Sequence, residues 1–494
     1  MAKDHSDTLH PEGEATRLLV VGAGAAGRAL VEQLQQSGLP VKPVAFVDDD
    51  PELIDTEILG LPVHGGTAEV VAIARQMHAR EVLLAIPSSG GGLLRRLILE
   101  CKGAGLPVRI VPGVRDIIRG DVTISQISEI KPEHLLGRET VDFNVDRARK
   151  LVAGRTVLVT GAGGSIGGEL CRQILPLEPA ELILLGRGEN SIFEIAGELA
   201  NTNRGTRIRQ VIADVRDAGR LEVLAKRHRP GLILHAAAHK HVPLMEDNPE
   251  EAVLVNIGGT ANMIRFARRV EAERFVLIST DKAVAPSSIM GATKKVAELL
   301  VARAAARQEK TRFMSVRFGN VLGSRGSVVP FFMKRIEAGL PLPVTHEDMT
   351  RFFMTIKEAA QLVVEAMLLG DPGATYILEM GNPVPIIELA RNLLALSGFD
   401  PAGGDTGPGI TVTGLRPGEK LHEALHESYE TLVASEHPLI MKADGTGQET
   451  EQVLEALDEL LDLAQRGRVA PLRELLAEVL KQPGLALVAS GKES

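Results

Sequence analysis

A run of β-branched and apolar residues that ends abruptly in glycine and resumes as a helix leaves a chain few ways to fold, and this chain contains the pattern twice. Residues 156–167 read Thr-Val-Leu-Val-Thr-Gly-Ala-Gly-Gly-Ser-Ile-Gly. Gly161 stands where the turn must be tight, Gly164 where the backbone must come close to a pyrophosphate, and Gly167 where helix and strand must pack closely. The amides that open the helix, at Ser165 and Ile166, have no partner inside it and are free to face phosphates. An ordinary tight loop can also be rich in glycine, so the pattern counts only with the elements around it. The second copy runs from Arg17–Val21 into Gly22-Ala-Gly-Ala-Ala-Gly27.

From residue 156 onward, strand-like runs at 156–160, 181–185, 208–212 and 231–235 alternate with helical periods over 165–176, 189–202 and 217–228. Further strands are expected at 274–278 and 312–317. That rhythm predicts a parallel sheet with right-handed crossovers, in which ligands lie at the carboxyl ends of the strands. Residues 17–120 repeat the build on a smaller scale, with Asp48-Asp49-Asp50 after the second strand, where a carboxylate can accept from a ribose. The expected fold is α/β: two Rossmann-like doubly wound parallel-sheet domains, the second with a smaller C-terminal substrate lobe. The expected boundaries are a disordered leader at 1–16, a first domain at 17–120 and a connector at 121–154 ending in a short helix. A dinucleotide-binding catalytic domain follows at 155–318, interleaved with a lobe at 319–430, and C-terminal helices and tail fill 431–494. A ligand-binding first domain and a structural or regulatory one are both open at this level.

Charge narrows the ligand classes. The formal net charge is −9 with no basic block, which argues against a nucleic-acid surface and means that an anionic ligand must be met by locally placed cations. Cys101 and Cys171 fall in different domains without a ligand motif, which argues against a disulfide framework or a zinc site and fits a reducing cytosol. The polar N-terminus lacks a signal-peptide core, and no stretch approaches the ~20 apolar residues that cross a bilayer. The expected address is the cytoplasm, with the inner face of a membrane as the alternative. The helical period at Val453, Leu457, Leu460, Leu461 and Ala464 is expected to pack on the lobe or on a neighbouring subunit of a homo-oligomer.

The strand-end rule selects the candidate residues. After the second strand, Gly186 occupies the place of a ribose-gripping acid and Arg187 suits a 2′-phosphate. The cofactor reading is therefore NAD(P) with a lean to NADP, although Arg187 can instead pair with a carboxylate and Glu189 can reach a ribose. Asp214, followed by Val215, either accepts from an adenine amino group or caps the next helix. Ala236, Ala237 and Ala238 let a flat dinucleotide come close, and His239, Lys240 and His241 point at the same edge. No carboxylate or cysteine accompanies them at ligand spacing, so no metal is expected. Asn256 is either a brace for the site or a solvent-facing residue. The fifth strand delivers Ser279, Thr280, Asp281 and Lys282, and Met290 and Lys294 share one helix face. Read singly, Asp281-Lys282 is also compatible with a surface ion pair, Lys294 with a solvated lysine and Met290 with core packing. Asn320 and Arg325 in a glycine-rich loop, with Arg351, Arg416 and Glu419, supply cations and a carboxylate suited to a nucleoside-diphosphate sugar.

Lys240-His-Val-Pro-Leu-Met-Glu, Ser279-Thr-Asp-Lys-Ala-Val, Met290-Gly-Ala-Thr-Lys, Arg317-Phe-Gly-Asn-Val-Leu-Gly-Ser-Arg-Gly-Ser and Arg416-Pro-Gly-Glu-Lys together resemble the bacterial capsular-polysaccharide nucleotide-sugar 4,6-dehydratases. These are extended short-chain dehydrogenases/reductases, and the first domain resembles the one that precedes the catalytic domain in their long members. The resemblance implies a UDP-sugar substrate, UDP-N-acetylglucosamine above all. It implies oxidation at C4, loss of water across C5 and C6, and return of the hydride to C6. It also implies Lys282 as base with a lowered pKa, Asp281 as acid, Lys294 on the nicotinamide ribose, and Lys240 and His241 on the substrate side. Two features depart from the pattern. Met290 stands where most short-chain dehydrogenases carry tyrosine, and a thioether does not titrate, which leaves Thr280 with a bound water as first proton acceptor. The membrane helices with which long members begin are absent from this chain. The competing readings are a UDP-sugar 4-epimerase, which Asp281-Lys282 disfavours, and a non-catalytic nucleotide-sensing scaffold of polysaccharide assembly.

Overall fold

The computed structural model describes residues 15–86, 91–110, 128–129, 143–307, 310–399, 407–445 and 449–486. The chain divides into two compact units. One comprises Met1–Thr140, Phe332–Leu342 and Ala390–Ile410, the other Val141–Phe331, Pro343–Leu389 and Thr411–Ser494.

In the first unit Thr16–Val21 pairs in parallel with Val41–Val47 on one side and Glu81–Leu84 on the other. Leu61–His64 and Val108–Ile110 extend this parallel sheet, and Glu57–Ile58 and Ser128–Glu129 add antiparallel edges. Asp48, the acid placed for a ribose, is occupied by its own backbone: Oδ2 accepts from the Ala23 amide at 2.6 Å and Oδ1 from the Asp50 amide at 3.0 Å. The leader expected at 1–16 falls outside the described residues up to residue 14, as does the connector at 121–154 up to residue 142, apart from Ser128–Glu129.

The second unit is built on a nine-stranded sheet. Its order is Arg207–Ile212, Glu181–Gly186, Thr156–Thr160, Leu232–His235, Arg274–Ile278, Arg312–Arg317 and Thr375–Leu378, all parallel, then Ile440–Asp444 and Thr431–Ala434 antiparallel. Helices cover both faces, which is why the central strands are apolar without alternation: Val157, Val159, Leu232, Ile233 and Leu234 have no exposure at all. The chain order reverses between Thr156–Thr160 and Leu232–His235, so the crevice for a ligand opens beyond those two strands.

The helical stretch that carries Asn256 is interrupted. Pro249–Ala252 is followed by a π-turn at Val253–Gly258 and then by Gly259–Arg269. Such bulges recur at functional sites because the extra residue redirects a side chain, here Asn256. The C-terminal helices Glu449–Glu455, Leu457–Gln465 and Val469–Val479 pack one face on helices of the dinucleotide-binding domain and not on the lobe. Val453, Leu460, Leu472 and Leu476 are fully buried in one cluster with Val253, Ile257 and Ala297, because the chain's own helices present the apolar face that their period requires. Each such side chain contributes about 1.5–3 kcal/mol of burial. Among the described residues no helix is long and apolar enough to cross a membrane.

Candidate active site

Two adjoining cavities occupy the crevice and share Gly161, Gly164, Ala236, Ala238 and His239. The smaller, about 340 Å³, is bounded by Arg187, Asp214, Val215 and Ala237. The larger, about 500 Å³, has Ser165, Ile166 and Gly167 on one wall and Thr280, Lys282, Met290 and Lys294 on another. Lys240, His241, Asn320 and Arg325 complete it. A Cβ at Gly161, where φ is +65°, would lie 2.8 Å from the Ala237 amide, and one at Gly167 would lie 2.2 Å from the Gly161 carbonyl oxygen. Only glycine keeps this cradle open, and the helix that starts at Ser165 carries no side-chain cap, so its first amides are available. The residues present therefore fit a dinucleotide.

The floor is held by a buried polar chain whose directions are set. Thr260 Oγ1 donates to the Asn256 carbonyl at 2.6 Å, so it accepts from His235 Nε2 at 3.2 Å. On the other side the Ala237 amide donates to Thr160 Oγ1 at 3.2 Å, and the Thr160 hydroxyl donates to His235 Nδ1 at 2.7 Å. Burial, with Lys294 nearby, pushes the His235 pKa down to about 3, so the ring is neutral. Asn256 is the brace and not a solvent-facing residue. It accepts from the His239 amide at 2.8 Å, donates to the His239 carbonyl at 3.0 Å and donates to Thr293 Oγ1 at 3.0 Å. Asp214 pairs with Arg216 at 2.8 Å, which holds its carboxyl below the usual range against the opposing effect of burial.

The strand Arg274–Ile278 leads through Ser279 to Thr280, which caps the turn Asp281–Ala283. Asp281 is fully buried; its Oδ1 accepts from Thr280 Oγ1 at 2.9 Å and from Lys282 Nζ at 3.0 Å. Its Oδ2 has no donor among the described residues. Lys282 also donates to Asn320 Oδ1 at 3.1 Å and lies 3.5 Å from Glu423 Oε1. Thr280 and Lys282 thus face the cavity while Asp281 stands behind both. The lowered lysine pKa expected for a base is not found. Burial does push Lys282 down, but the carboxylates of Asp281 and Glu423 together hold it above the ordinary lysine range. Lys294, by contrast, donates to the Ile278 carbonyl at 2.5 Å, and burial draws it down to about 8 against the pull of Glu298. Met290 lines the cavity at 2% exposure.

The substrate candidates separate. Lys240 Nζ donates to Ser324 Oγ at 3.1 Å, and the His241 ring packs so closely on Gly326 that a Cβ there would lie 2.7 Å from it. Arg325 bends over the glycine turn, where its amide donates to Ser165 Oγ at 3.1 Å and its guanidinium to the Gly163 carbonyl. Arg351 is not on the cavity wall. Its guanidinium, 7% exposed, donates to the carbonyls of Thr350 at 2.7 Å, Lys420 at 2.8 Å and Leu421 at 3.1 Å, because a buried guanidinium must satisfy its donors wherever carbonyls stand. Arg416 and Glu419 also lie off the described lining and close their own turn, the Arg416 amide donating to Glu419 Oε2 at 3.2 Å. Glu423 was not foreseen, and no local signal marks it, since its partner Lys282 belongs to a distant strand end. Lys240, Lys282, Lys294 and Arg325 make the larger cavity cationic in a chain of net charge −9, as an anionic ligand requires. Among the described residues no group of His, Cys, Asp and Glu is placed to hold a metal ion.

Residues 157–445 match the family described as polysaccharide biosynthesis protein. The chain belongs to that family. Residues 7–112 match a second family, described as a CoA-binding domain. A probable polysaccharide biosynthesis protein, EpsC of Bacillus subtilis, is 44% identical over 92% of this chain and 76% of its own length. A UDP-N-acetylglucosamine 4,6-dehydratase (inverting) of Campylobacter jejuni is 35% identical over 56% of this chain and 78% of its own. A UDP-glucose 4-epimerase of Rickettsia bellii is 33% identical over 57% and 80%.

Proposed function

We propose that the chain is a nucleotide-sugar 4,6-dehydratase of polysaccharide or glycan synthesis, acting on UDP-N-acetylglucosamine. The observation that carries this reading is Lys282 on the wall of the larger cavity, hydrogen-bonded to a fully buried Asp281 that also holds Thr280. Charges removed from water in this way are costly, and an epimerase, which only oxidises and reduces C4, has no use for them. The relative named as a UDP-N-acetylglucosamine 4,6-dehydratase supports the substrate class.

A bound nicotinamide dinucleotide supplies the hydride acceptor at C4 and the hydride donor at C6. The protein's residues move the protons. Oxidation at C4 makes the C5 proton acidic, and departure of the C6 hydroxyl requires a proton. The proton of the C4 hydroxyl passes to Thr280 as Thr280 passes its own to Asp281 Oδ1. Lys282, having released its own proton to solvent as substrate binds, takes the C5 proton as an amine and delivers it to the departing C6 oxygen. Recharged from Asp281, it protonates C5 as the hydride reaches C6. One proton leaves the C4 hydroxyl and one leaves C5; one departs with water and one returns to C5. Asp281 therefore acts through Lys282, the member that faces the sugar. Lys294 keeps positive charge near the nicotinamide ribose. Arg187, exposed at the end of the second strand beside Gly186, suits the 2′-phosphate of NADP.

Purified protein incubated with NADP and UDP-N-acetylglucosamine should yield, by mass spectrometry, a product lighter by a single water. An unchanged mass with an inverted C4 hydroxyl would identify an epimerase, and a bound dinucleotide without turnover a scaffold. Lys282→Met should abolish water loss while leaving dinucleotide affinity intact. Arg187→Ala should weaken NADP binding roughly tenfold and leave NAD binding nearly unchanged, as loss of a charged hydrogen bond predicts.

A further inference from the structure

Glu423 has no part in the proton path above. Its side chain is 3% exposed, and its Oε2 has no hydrogen-bond donor among the described residues. Three cations face it: Lys282 Nζ at 3.5 Å, Lys420 Nζ at 3.8 Å and Arg351 Nε at 3.9 Å. Two of these are anchored elsewhere. Arg351 is held by three carbonyls, and Lys420 donates to the Val284 carbonyl at 2.6 Å. Lys282 alone of the three lines the cavity. An ammonium has three N–H donors, and Lys282 Nζ has three oxygens around it: Asp281 Oδ1 at 3.0 Å, Asn320 Oδ1 at 3.1 Å and Glu423 Oε1 at 3.5 Å. A neutral amine would point its lone pair at one of them.

We propose that Glu423 is a positioning residue for Lys282, which it holds, together with Asp281, as an ammonium turned into the cavity before substrate binds. Among the influences on Lys282, burial is the strongest and favours the amine, and Arg351 acts with it. Lys420 and Lys240 face the same cluster and add to that pressure. Asp281 and Glu423 together reverse it, so cancelling one of the two charges returns the balance towards the amine. The charge on Lys282 is a property of the resting protein; its use as a proton carrier rests on the dehydratase reading.

Brief acetylation of the full-length protein with acetic anhydride across about pH 7–11, read peptide by peptide in a mass spectrometer, reports each lysine's midpoint, since only the amine form reacts. In Glu423→Gln the Lys282 midpoint should fall by about one unit or more, giving roughly tenfold more acetylation at a given pH, while the Lys294 midpoint stays in place. Glu423→Asp, which keeps the charge, should recover part of the shift, and Lys420→Met, which frees Glu423 for Lys282, should move the midpoint upward. In each variant the limb of the water-loss pH profile that belongs to Lys282 should move with its midpoint. Lys282 midpoints that coincide in the wild type and all three variants would overturn the proposal. Failure of the wild type to release water from UDP-N-acetylglucosamine, with the acetylation shifts intact, would remove the dehydratase reading and leave the role of Glu423 standing.

Discussion

Lys294 and Lys282 are both lysines on one cavity wall, yet their surroundings push them in opposite directions. Burial brings Lys294 to about 8, whereas two carboxylates hold Lys282 up. Lys294 is therefore charged below about pH 8 and neutral above it. If its charge serves the reaction, the rate of water loss should fall as pH rises through that value. Lys294→Arg should lose this limb, because a guanidinium does not titrate there. A limb unchanged in the arginine variant would assign it to another group. At this scale the common place of Thr280, Met290 and Lys294 on the cavity lining could be expected from a strand end and one helix face taken together with the family motifs, since singly Met290 and Lys294 also read as core and solvated residues. Arg351 was not legible: two of the three carbonyls that occupy it belong to a turn some seventy residues further along, and nothing local to Arg351 announces them.

Among the elements, the C-terminal helices are tied to the helix that carries Met290 and Lys294 by a polar link as well as by apolar packing. Arg473, 6% exposed, donates to the Glu246 carbonyl at 2.7 Å and to Glu246 Oε2 at 2.9 Å. The other oxygen of that carboxylate accepts from the Ile289 amide at 2.7 Å, at the start of the helix that carries Met290 and Lys294. Removing the cation leaves a nearly buried carboxylate unpaired, so Arg473→Met should cost about 3 kcal/mol in denaturant unfolding. A change under about 0.5 kcal/mol, the level of an ordinary surface substitution, would refute the tie. The helical period of this segment was plain in the sequence, but its docking site was not, because an apolar stripe states that it must be covered and not by what. The interruption at Val253–Gly258 was also invisible, since no glycine or proline precedes Asn256 within the turn.

For the whole molecule, acid should be a sensitive variable. His235 has a folded pKa of about 3 and is charged in the unfolded chain below its ordinary value of 6.5, so the unfolded state binds the extra proton between them. The stability it contributes is complete above 6.5 and is lost progressively as pH falls towards 3. Urea midpoints at about pH 7.5 and pH 5 should differ less in His235→Gln than in the wild type, because the amide keeps hydrogen-bonding capacity without titrating. Some dependence should persist, since burial also lowers His228, His239, His241 and His437. Equal pH dependence in both proteins would show that His235 is accessible to protons in the folded state.

The amino-acid order by itself determined the two glycine turns and the strand and helix alternation from Thr156 to Arg317, because both depend on sterics and periodicity within a few residues, and it carried the motifs on which the family resemblance rests. The tertiary structure alone decided that Asp281 stands behind Lys282, that Glu423 adds a second negative charge to that lysine, that Arg351 is held away from the cavity and that the C-terminal helices cover their own domain. Ionisation and docking depend on distances between groups far apart along the chain, and those distances exist only once the sheet and its helices have brought the groups together.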